Sequence, residues 1–179
     1  MKVLIVVDMQ NDFIDGVLGT KEAQAIVPRA CDKIRNFDDL IIATKDRHGE
    51  DYLKTQEGKN LPVPHCIKGT AGYNIDTNVF NAMYGKSYQI VFKQTFGTFD
   101  LAKCITKTAN LRGEGIEAIE LIGVCTDICV INNALILKTA FPGVPIYVDA
   151  TCCAGVTPEL HEAALKVMKS CQIIVREAV

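Results

Sequence analysis

The stretch KVLIVVD, residues 2–8, is an apolar run of strand length that ends on a carboxylate. Apolar and polar residues do not alternate in it. A continuous apolar strand is typical of a parallel sheet that helices cover on both faces. Further runs of this kind predict strands at residues 39–44, 88–92, 117–123, 144–149 and 172–175.

Helical patterns separate these strands. They span residues 22–36, 98–111, 127–140 and 157–170. In the last, Thr157 is suited to the N-cap and Pro158 to the first helical position. Alternating strands and helices predict an α/β fold: a three-layer sandwich with a six-stranded, mostly parallel, Rossmann-like sheet and helices on both faces. The length of 179 residues indicates a single domain over residues 1–179.

The composition excludes several classes of protein. Lys and Arg total 19 against 21 Asp and Glu, so there is no basic excess to neutralise phosphates. We therefore expect neither a nucleic-acid partner nor an anionic membrane partner. The first apolar run is too short for a signal segment, and no run approaches membrane-spanning length. The eight cysteines lie mainly in apolar segments, which is typical of reduced thiols in a cytoplasmic protein.

One segment, residues 46–75, has no clear period and is rich in glycine and proline. A loop of this length inside a compact domain usually has a function. It contains two of the three histidines. Asp46 and His48 stand side by side at its start, and His65 lies in a proline-containing stretch near its end.

Chemically useful residues follow four of the predicted strands. Asp8 follows the first, Asp46 and His48 the second, Lys93 the third, and the block GVCTDICV (residues 123–130) the fourth. Ligands of open α/β sheets bind at the carboxyl ends of the strands, so these groups are expected to share one edge.

Cys129 is the candidate nucleophile at this edge. It falls in the first turn of a predicted helix, where the helix N-terminus favours a thiolate and backbone N–H groups can receive an oxyanion. Asp8 is the nearest candidate proton acceptor, and Lys93 can hold both groups by its charge. Taken singly, each residue also fits a structural role: a buried thiol, a turn cap or a solvated charge.

Carboxylate and imidazole groups at residues 46–65 suit a divalent metal such as Zn, Mn or Fe. The spacing leaves the choice of a further ligand open among Glu50, Asp51 and Glu57. An ordinary polar surface loop is the alternative interpretation of this stretch.

Two weaker patterns accompany these groups. Cys125 and Cys129 are four residues apart, whereas a redox pair favours the spacing C-x-x-C. A redox couple of these two thiols is therefore the less favoured interpretation. Phe13, Phe96 and Phe99 follow the first and third strands and could wall a pocket for a flat ring, although such aromatics are more often core residues.

These blocks together resemble a known family. VVDMQNDF (6–13), FK (92–93) and GVCTDICV (123–130) are similar to the three blocks of the isochorismatase-like cysteine hydrolases. TKDRH (44–48) and PHCIKGT (64–70) resemble the metal-binding blocks of the nicotinamidases within that superfamily. The resemblance covers nearly the whole chain in the right order.

The resemblance implies two sets of site residues. Its catalytic triad maps to Asp8, Lys93 and Cys129. Its metal ligands map to Asp46, His48 and His65, with Glu57 as the fourth ligand of the glutamate-type members. The interval from Glu57 to His65 is one residue longer than in that pattern. The implied cofactor is one divalent metal ion, with Zn as the first candidate and Mn or Fe as alternatives.

The resemblance also implies an oxyanion hole and a pocket. A cis peptide bond before Cys125 would turn its N–H towards that of Cys129 to form the hole. Phe13 matches the pocket phenylalanine of the family. Leu61 stands where many nicotinamidases carry an aromatic residue, and Phe96 or Phe99 is left to supply the other face.

The function implied is that of a metal-dependent cysteine amidohydrolase, which converts nicotinamide to nicotinate and ammonia through a thioester in NAD salvage. The partner expected is a small aromatic amide, and a homo-oligomer stays open. The first alternative is a metal-free isochorismatase-like hydrolase of another small amide or carbamoyl compound. A thiol redox protein or a ligand-binding protein is the remote alternative.

Overall fold

A six-stranded sheet forms the centre of the computed structural model, which describes residues 1–177. All the paired strands are parallel, so the sheet predicted as mostly parallel is wholly so. Their order across the sheet is β3-β2-β1-β4-β5-β6. The strands are β1 (Lys2–Val7), β2 (Leu40–Asp46), β3 (Tyr88–Lys93), β4 (Ala118–Val124), β5 (Ile146–Ala154) and β6 (Ile174–Arg176).

Helices connect the strands and cover both faces of the sheet. A 3-10 turn (Tyr52–Lys54) and a π-helical turn (Thr126–Val130) precede two of them. The helices are α1 (Asn11–Ile14), α2 (Lys21–Arg35), α3 (Gln56–Asn60), α4 (Thr77–Met83), α5 (Asp100–Arg112), α6 (Ile131–Ala140) and α7 (Pro158–Ser170).

Successive residues of β1 point to opposite faces of the sheet and enter two separate cores. Leu4 and Val6 pack with residues of α2 and α4 on one face. Val3, Ile5 and Val7 pack with residues of α5, α6 and α7 on the other. The three-layer α/β sandwich predicted from the apolar runs is therefore confirmed.

The capping signals of α7 also behave as predicted. The Thr157 side chain accepts a hydrogen bond from the Leu160 N–H, and Pro158 occupies the first helical position. The short helices α1, α3 and α4 were not predicted, because elements of four to seven residues are too short to show a helical period.

Strand β5 extends further than the sequence indicates, to Ala154 instead of residue 149. The polar residues Asp149 and Thr151 interrupt the apolar run at this point, so the sequence pattern does not reveal the extension. These polar groups are satisfied locally, since the Thr151 N–H and hydroxyl both donate to Asp149 Oδ1. A register shift between Leu121 and Gly123 accommodates the longer strand beside β4.

Among the described residues, the helices are all too short or too polar to cross a lipid bilayer. The eight cysteines, which all lie in this part of the chain, are free thiols, as predicted.

The strand order locates the functional edge of the sheet. β1 lies between β2 and β4, and the chain winds outward from β1 in one direction and then in the other. At such a switch point the loops after the two central strands separate and leave a crevice at the carboxyl edge. Residues that follow β1 and β4 therefore border a natural binding site.

Gly123 is predicted to be indispensable where β4 packs against β1. Its φ is +117°, and a Cβ atom there would lie 2.2 Å from the Val7 carbonyl oxygen. We expect Gly123→Ala to lower the free energy of unfolding by about 2–6 kcal/mol, combining backbone strain with overpacking. The matched control is Gly143→Ala, which has open space around its Cα and should stay within about 0.5 kcal/mol of the parent. Urea denaturation followed by circular dichroism measures both, and equal effects of the two substitutions would contradict this account of Gly123.

Candidate active site

The carboxyl edge of the sheet brings together the side chains that were predicted to meet there. Asp8 directly follows β1, whereas Asp46 and Lys93 are the last residues of β2 and β3 and stand opposite each other in the strand register. Cys129 lies in the π-helical turn that leads from β4 into α6. All four residues are buried.

Lys93 is the centre of this group. Its Nζ lies 2.6 Å from Asp8 Oδ2, 3.5 Å from Cys129 Sγ and 3.4 Å from Asp46 Oδ1. One buried ammonium thus contacts a carboxylate, a thiol and a second carboxylate. A nucleophile and a proton acceptor held within reach of each other is the arrangement that covalent catalysis requires.

Asp8 is fixed by a reciprocal pair of hydrogen bonds with Thr44. The Thr44 hydroxyl donates to Asp8 Oδ1 at 2.6 Å and accepts from the Asp8 N–H at 3.1 Å. Asp8 has a positive φ of 47°, which is uncommon for a residue with a side chain. Its other carboxylate oxygen is left facing Lys93 and the thiol.

Burial and the mutual charges of Asp8, Lys93 and Cys129 shift the pKa of each of these three groups. Burial raises the pKa of the Cys129 thiol well above its usual value, and the charge of Asp8 adds to this against the opposing effect of Lys93. Burial also raises the pKa of the Asp8 carboxyl. It lowers the pKa of the Lys93 ammonium, but the charges of Asp8, Cys129 and Asp46 outweigh it and raise that pKa. All three shifts favour the protonated forms, so the resting nucleophile is a thiol.

The turn that contains Cys129 begins at an unusual bond. The peptide bond between Val124 and Cys125 is cis, as the resemblance implied. The Cys125 carbonyl accepts hydrogen bonds from the N–H groups of Ile128 and Val130, which close the turn around Cys129.

A second cluster lies beside Lys93 and contains the four predicted metal ligands. Asp46, His48, Glu57 and His65 each direct one donor atom inward, and these atoms all lie within 4.8 Å of one another. His48 Nε2 is 2.9 Å from Asp46 Oδ2, and His65 Nε2 is 3.6 Å from Glu57 Oε1. Glu57, whose spacing departed from the family pattern, joins the cluster because it lies in the first turn of α3.

The donor set fits a divalent cation. Two imidazole nitrogens and two carboxylates are ligands that Zn, Mn and Fe all accept. With Asp8 and Lys93 included, three carboxylates meet one ammonium, so two negative charges are left when the imidazoles are neutral. Burial and the charge of Asp46 raise the pKa of Glu57, as expected for a carboxylate in an over-negative cluster.

The His65 ring is oriented for ligation by a contact behind it. Its Nδ1 is 2.9 Å from the Val63 carbonyl oxygen, which can only accept a hydrogen bond. Nδ1 therefore bears the proton and Nε2 faces the cluster, the arrangement found behind most histidine ligands. Burial lowers the pKa of His65, but the hydrogen bonds to Asp46 and Val63 and the charges of Asp46 and Glu57 together outweigh it and raise that pKa.

Several residues that hold the cluster were not predicted. The Gln10 side chain accepts from the Asp46 N–H at 2.7 Å and donates to the Asp46 carbonyl oxygen at 2.9 Å. Asp12 Oδ2 accepts from the Cys66 N–H at 2.7 Å, next to His65. Both belong to the block VVDMQNDF, so the signal was present in the sequence, but their partners lie 36 and 54 residues away.

Tyr52 is a further unpredicted support. Its buried ring meets the rings of His48 and His65 edge-on, at centroid distances of 4.7 and 5.0 Å. Its hydroxyl donates to the Leu61 carbonyl oxygen, which ties the 3-10 turn to the loop before His65.

A mainly apolar cavity of about 280 Å³ joins the two clusters. Its volume is near the lower limit of roughly 300 Å³ for drug-sized ligands, so it suits a small molecule. Phe13, Leu61 and Phe96 line it, together with Cys125 and Cys129.

Not every predicted pocket residue reaches this cavity. Phe99 lies just before α5 with 72% of its surface exposed and does not line the cavity. The loop after β3 therefore presents Phe96 to the cavity and turns Phe99 to solvent. Leu18, Ile128 and Val156, which were not predicted, complete the apolar wall.

Comparison with known proteins agrees with this geometry. The sequence model of the isochorismatase domain matches residues 2–178. The nicotinamidase/pyrazinamidase of Mycobacterium tuberculosis is 29% identical, over 97% of each chain. An Arabidopsis thaliana protein named "Probable inactive nicotinamidase" is 32% identical, over 93% of this chain and 87% of its own.

Solved structures give the same assignment. The pyrazinamidase of Pyrococcus horikoshii in complex with zinc superposes with a TM-score of 0.80 at 30% identity, over 99% of each chain. Together with the family match and the buried thiol, carboxylate and ammonium, this likeness identifies the chain as a member of the isochorismatase domain family and as an amidohydrolase of that family.

Proposed function

We propose that this amidohydrolase releases ammonia from nicotinamide and leaves nicotinate, with a thioester on Cys129 as the intermediate. The observation that supports it most is the position of Lys93 Nζ, 2.6 Å from Asp8 and 3.5 Å from the Cys129 sulfur, at the end of a small apolar cavity. We infer nicotinamide as the substrate from the relatives that are named as nicotinamidases.

The proposed reaction uses the three residues in turn. Asp8 takes the proton of the Cys129 thiol, and Lys93 stabilises the charges that result. The thiolate adds to the amide carbonyl carbon, and the backbone N–H groups of Cys125 and Cys129 receive the oxyanion. The C–N bond then breaks, and Asp8 returns the proton to the departing ammonia. Asp8 next activates a water molecule, which cleaves the thioester to nicotinate and restores the thiol.

Asp46, His48, Glu57 and His65 would hold a divalent metal, for which zinc is our first choice. Bound there, the metal would supply a Lewis-acid contact for a ring nitrogen and so orient the pyridine. Phe13 packs 5.4 Å from the His65 ring, between centroids, and with Phe96 offers apolar surface to the ring.

The alternatives fit the structure less well. A metal-free hydrolase of the same family would not need four convergent donor atoms beside its nucleophile. A thiol redox couple favours the spacing C-x-x-C, whereas three residues separate Cys125 from Cys129. Such a couple would also not need the contact between the Cys129 sulfur and Lys93. We place the reaction in the cytoplasm, where eight free thiols would stay reduced, and in NAD salvage, which nicotinate feeds.

Replacement of the nucleophile is the first test. Cys129→Ala should lower kcat for ammonia release from nicotinamide by at least about a thousandfold, because it removes the thiol that lies within hydrogen-bond distance of Lys93. Cys171→Ala is the matched control, since this thiol lies at the end of α7 away from the cavity and its loss should leave kcat within about twofold. Substantial residual turnover by Cys129→Ala would exclude Cys129 as the nucleophile.

Metal content gives a second test that does not depend on turnover. In His65→Asn the amide can still donate to the Val63 carbonyl but offers no Nε2 atom, so zinc affinity should fall at least about tenfold. His161→Asn is the matched control, because His161 is outside the cluster, and it should retain one equivalent of zinc. Elemental analysis after dialysis measures both variants.

Chelation of the parent protein completes this test. Complete removal of the metal should raise KM for nicotinamide or stop turnover, and added zinc should restore it. Metal-free protein with unchanged kcat and KM would favour the metal-free alternative, and assays with pyrazinamide, benzamide and carbamoyl compounds would then identify its substrate.

A further inference from the structure

Asn133 is a buried polar residue that the proposed chemistry does not use. It lies in the first turn of α6, four residues after Cys129, and its exposed surface is 0%. A fully buried amide must find partners for its donors and its acceptor, or it destabilises the fold.

The partners of Asn133 come from two different parts of the site. Its Nδ2 donates to the Cys129 carbonyl oxygen at 2.8 Å and to the Phe96 carbonyl oxygen at 3.3 Å. Its Oδ1 accepts from the Thr98 N–H at 3.0 Å. One side chain thus joins the residue of the proposed nucleophile to the loop that walls the cavity.

That loop, residues 94–99, lies directly against α6. A Cβ atom at Gly97 would be 2.7 Å from Ile136 Cδ1 and 3.1 Å from Asn132 Cβ, so the loop backbone touches the helix surface. The Phe96 side chain is 47% exposed and has little packing of its own to fix it. Its position therefore depends on how its backbone is anchored.

We propose that Asn133 is a positioning residue, which sets the separation between the Phe96 wall and Cys129 and so determines how firmly an aromatic ring is held against the nucleophile. Asn133 does not line the cavity, and it acts through Phe96. This inference rests on the proposed function, because it assigns the cavity to an aromatic amide.

The effect of losing this link should fall on KM more than on kcat. The Asn133 side chain bonds main-chain atoms of Cys129, Phe96 and Thr98. The thiol, Asp8 and Lys93 instead contact one another through their side chains. A loosened wall weakens ring binding equally in the ground state and in the transition state. Loss of such an interaction raises KM and leaves kcat unchanged.

Asn133→Ser should keep the hydrogen bond to Cys129 and remove the hydrogen bonds to the loop. A serine hydroxyl in a helix can still donate to the carbonyl four residues earlier, here that of Cys129, but it is too short to reach Phe96 and Thr98. Asn132→Ser is the matched control, because Asn132 is exposed and its amide donates to the Ile128 carbonyl, also four residues earlier. We expect KM for nicotinamide to rise about tenfold in Asn133→Ser, equivalent to ~1.4 kcal/mol. It should not change in Asn132→Ser.

A double-mutant cycle with Phe96→Ala distinguishes positioning from a general structural effect. If Asn133 acts through Phe96, adding Asn133→Ser to Phe96→Ala raises KM no further. The inference is overturned if the two effects multiply, or if Asn133→Ser leaves KM unchanged. Should Asn133→Ser fail to fold in a thermal melt, Asn133→Thr keeps the hydroxyl and fills more space, and the same expectations apply to it.

Failure of the proposed function can be distinguished from failure of this inference by measuring ammonia release by the parent protein. If the parent protein releases no ammonia from nicotinamide, the proposed function fails, and the Kd of nicotinamide for the same variants, measured by calorimetry, then replaces KM in the cycle. The same coupling between Asn133 and Phe96 would support the inference on binding alone. Absence of nicotinamide binding to the parent protein would overturn both proposals.

Discussion

The buried ammonium of Lys93 is the interaction on which the site depends. A charge removed from water costs several kcal/mol unless it is paired, and Lys93 is paired with Asp8 at 2.6 Å and with Asp46 at 3.4 Å. The same group lies 3.5 Å from the Cys129 sulfur. One cation therefore contacts the proposed nucleophile, the proposed proton acceptor and one residue of the second cluster, and loss of its pairing with Asp8 and Asp46 would leave a buried charge uncompensated.

The sheet makes this pairing possible. Because the strands are parallel, their carboxyl ends deliver four chain segments to one edge, and the register places Asp46 of β2 opposite Lys93 of β3. The switch of winding direction at β1 opens the crevice into which Asp8 and the Cys129 turn project. Hydrogen bonds then fix individual groups, as Thr44 does for Asp8 and Gln10 does for Asp46.

The proposed chemistry and the proposed choice of substrate depend on different parts of the structure. In the proposed reaction Asp8, Lys93 and Cys129 act on an amide carbonyl, whereas the ring would be bounded by Phe13 of α1 and by Leu61 and Phe96, which lie in loops. Loops that contain such wall residues need their own anchors. Asn133 and Tyr52 provide these anchors through hydrogen bonds to main-chain carbonyls of residues 96 and 61.

The sequence alone determined the α/β class, the six strands and the residues that follow them, because a buried parallel strand must be an uninterrupted apolar run and its carboxyl end must lie at the functional edge. It also named Asp8, Lys93, Cys129 and the four residues of the second cluster, partly through the family resemblance. Only the tertiary structure decided that Glu57 joins that cluster and that Phe96 faces the cavity while Phe99 faces solvent. It also revealed Gln10, Asp12, Tyr52 and Asn133 as supports. These outcomes depend on hydrogen bonds and packing between residues distant along the chain, and no local pattern encodes which carbonyl or N–H a buried polar side chain will meet.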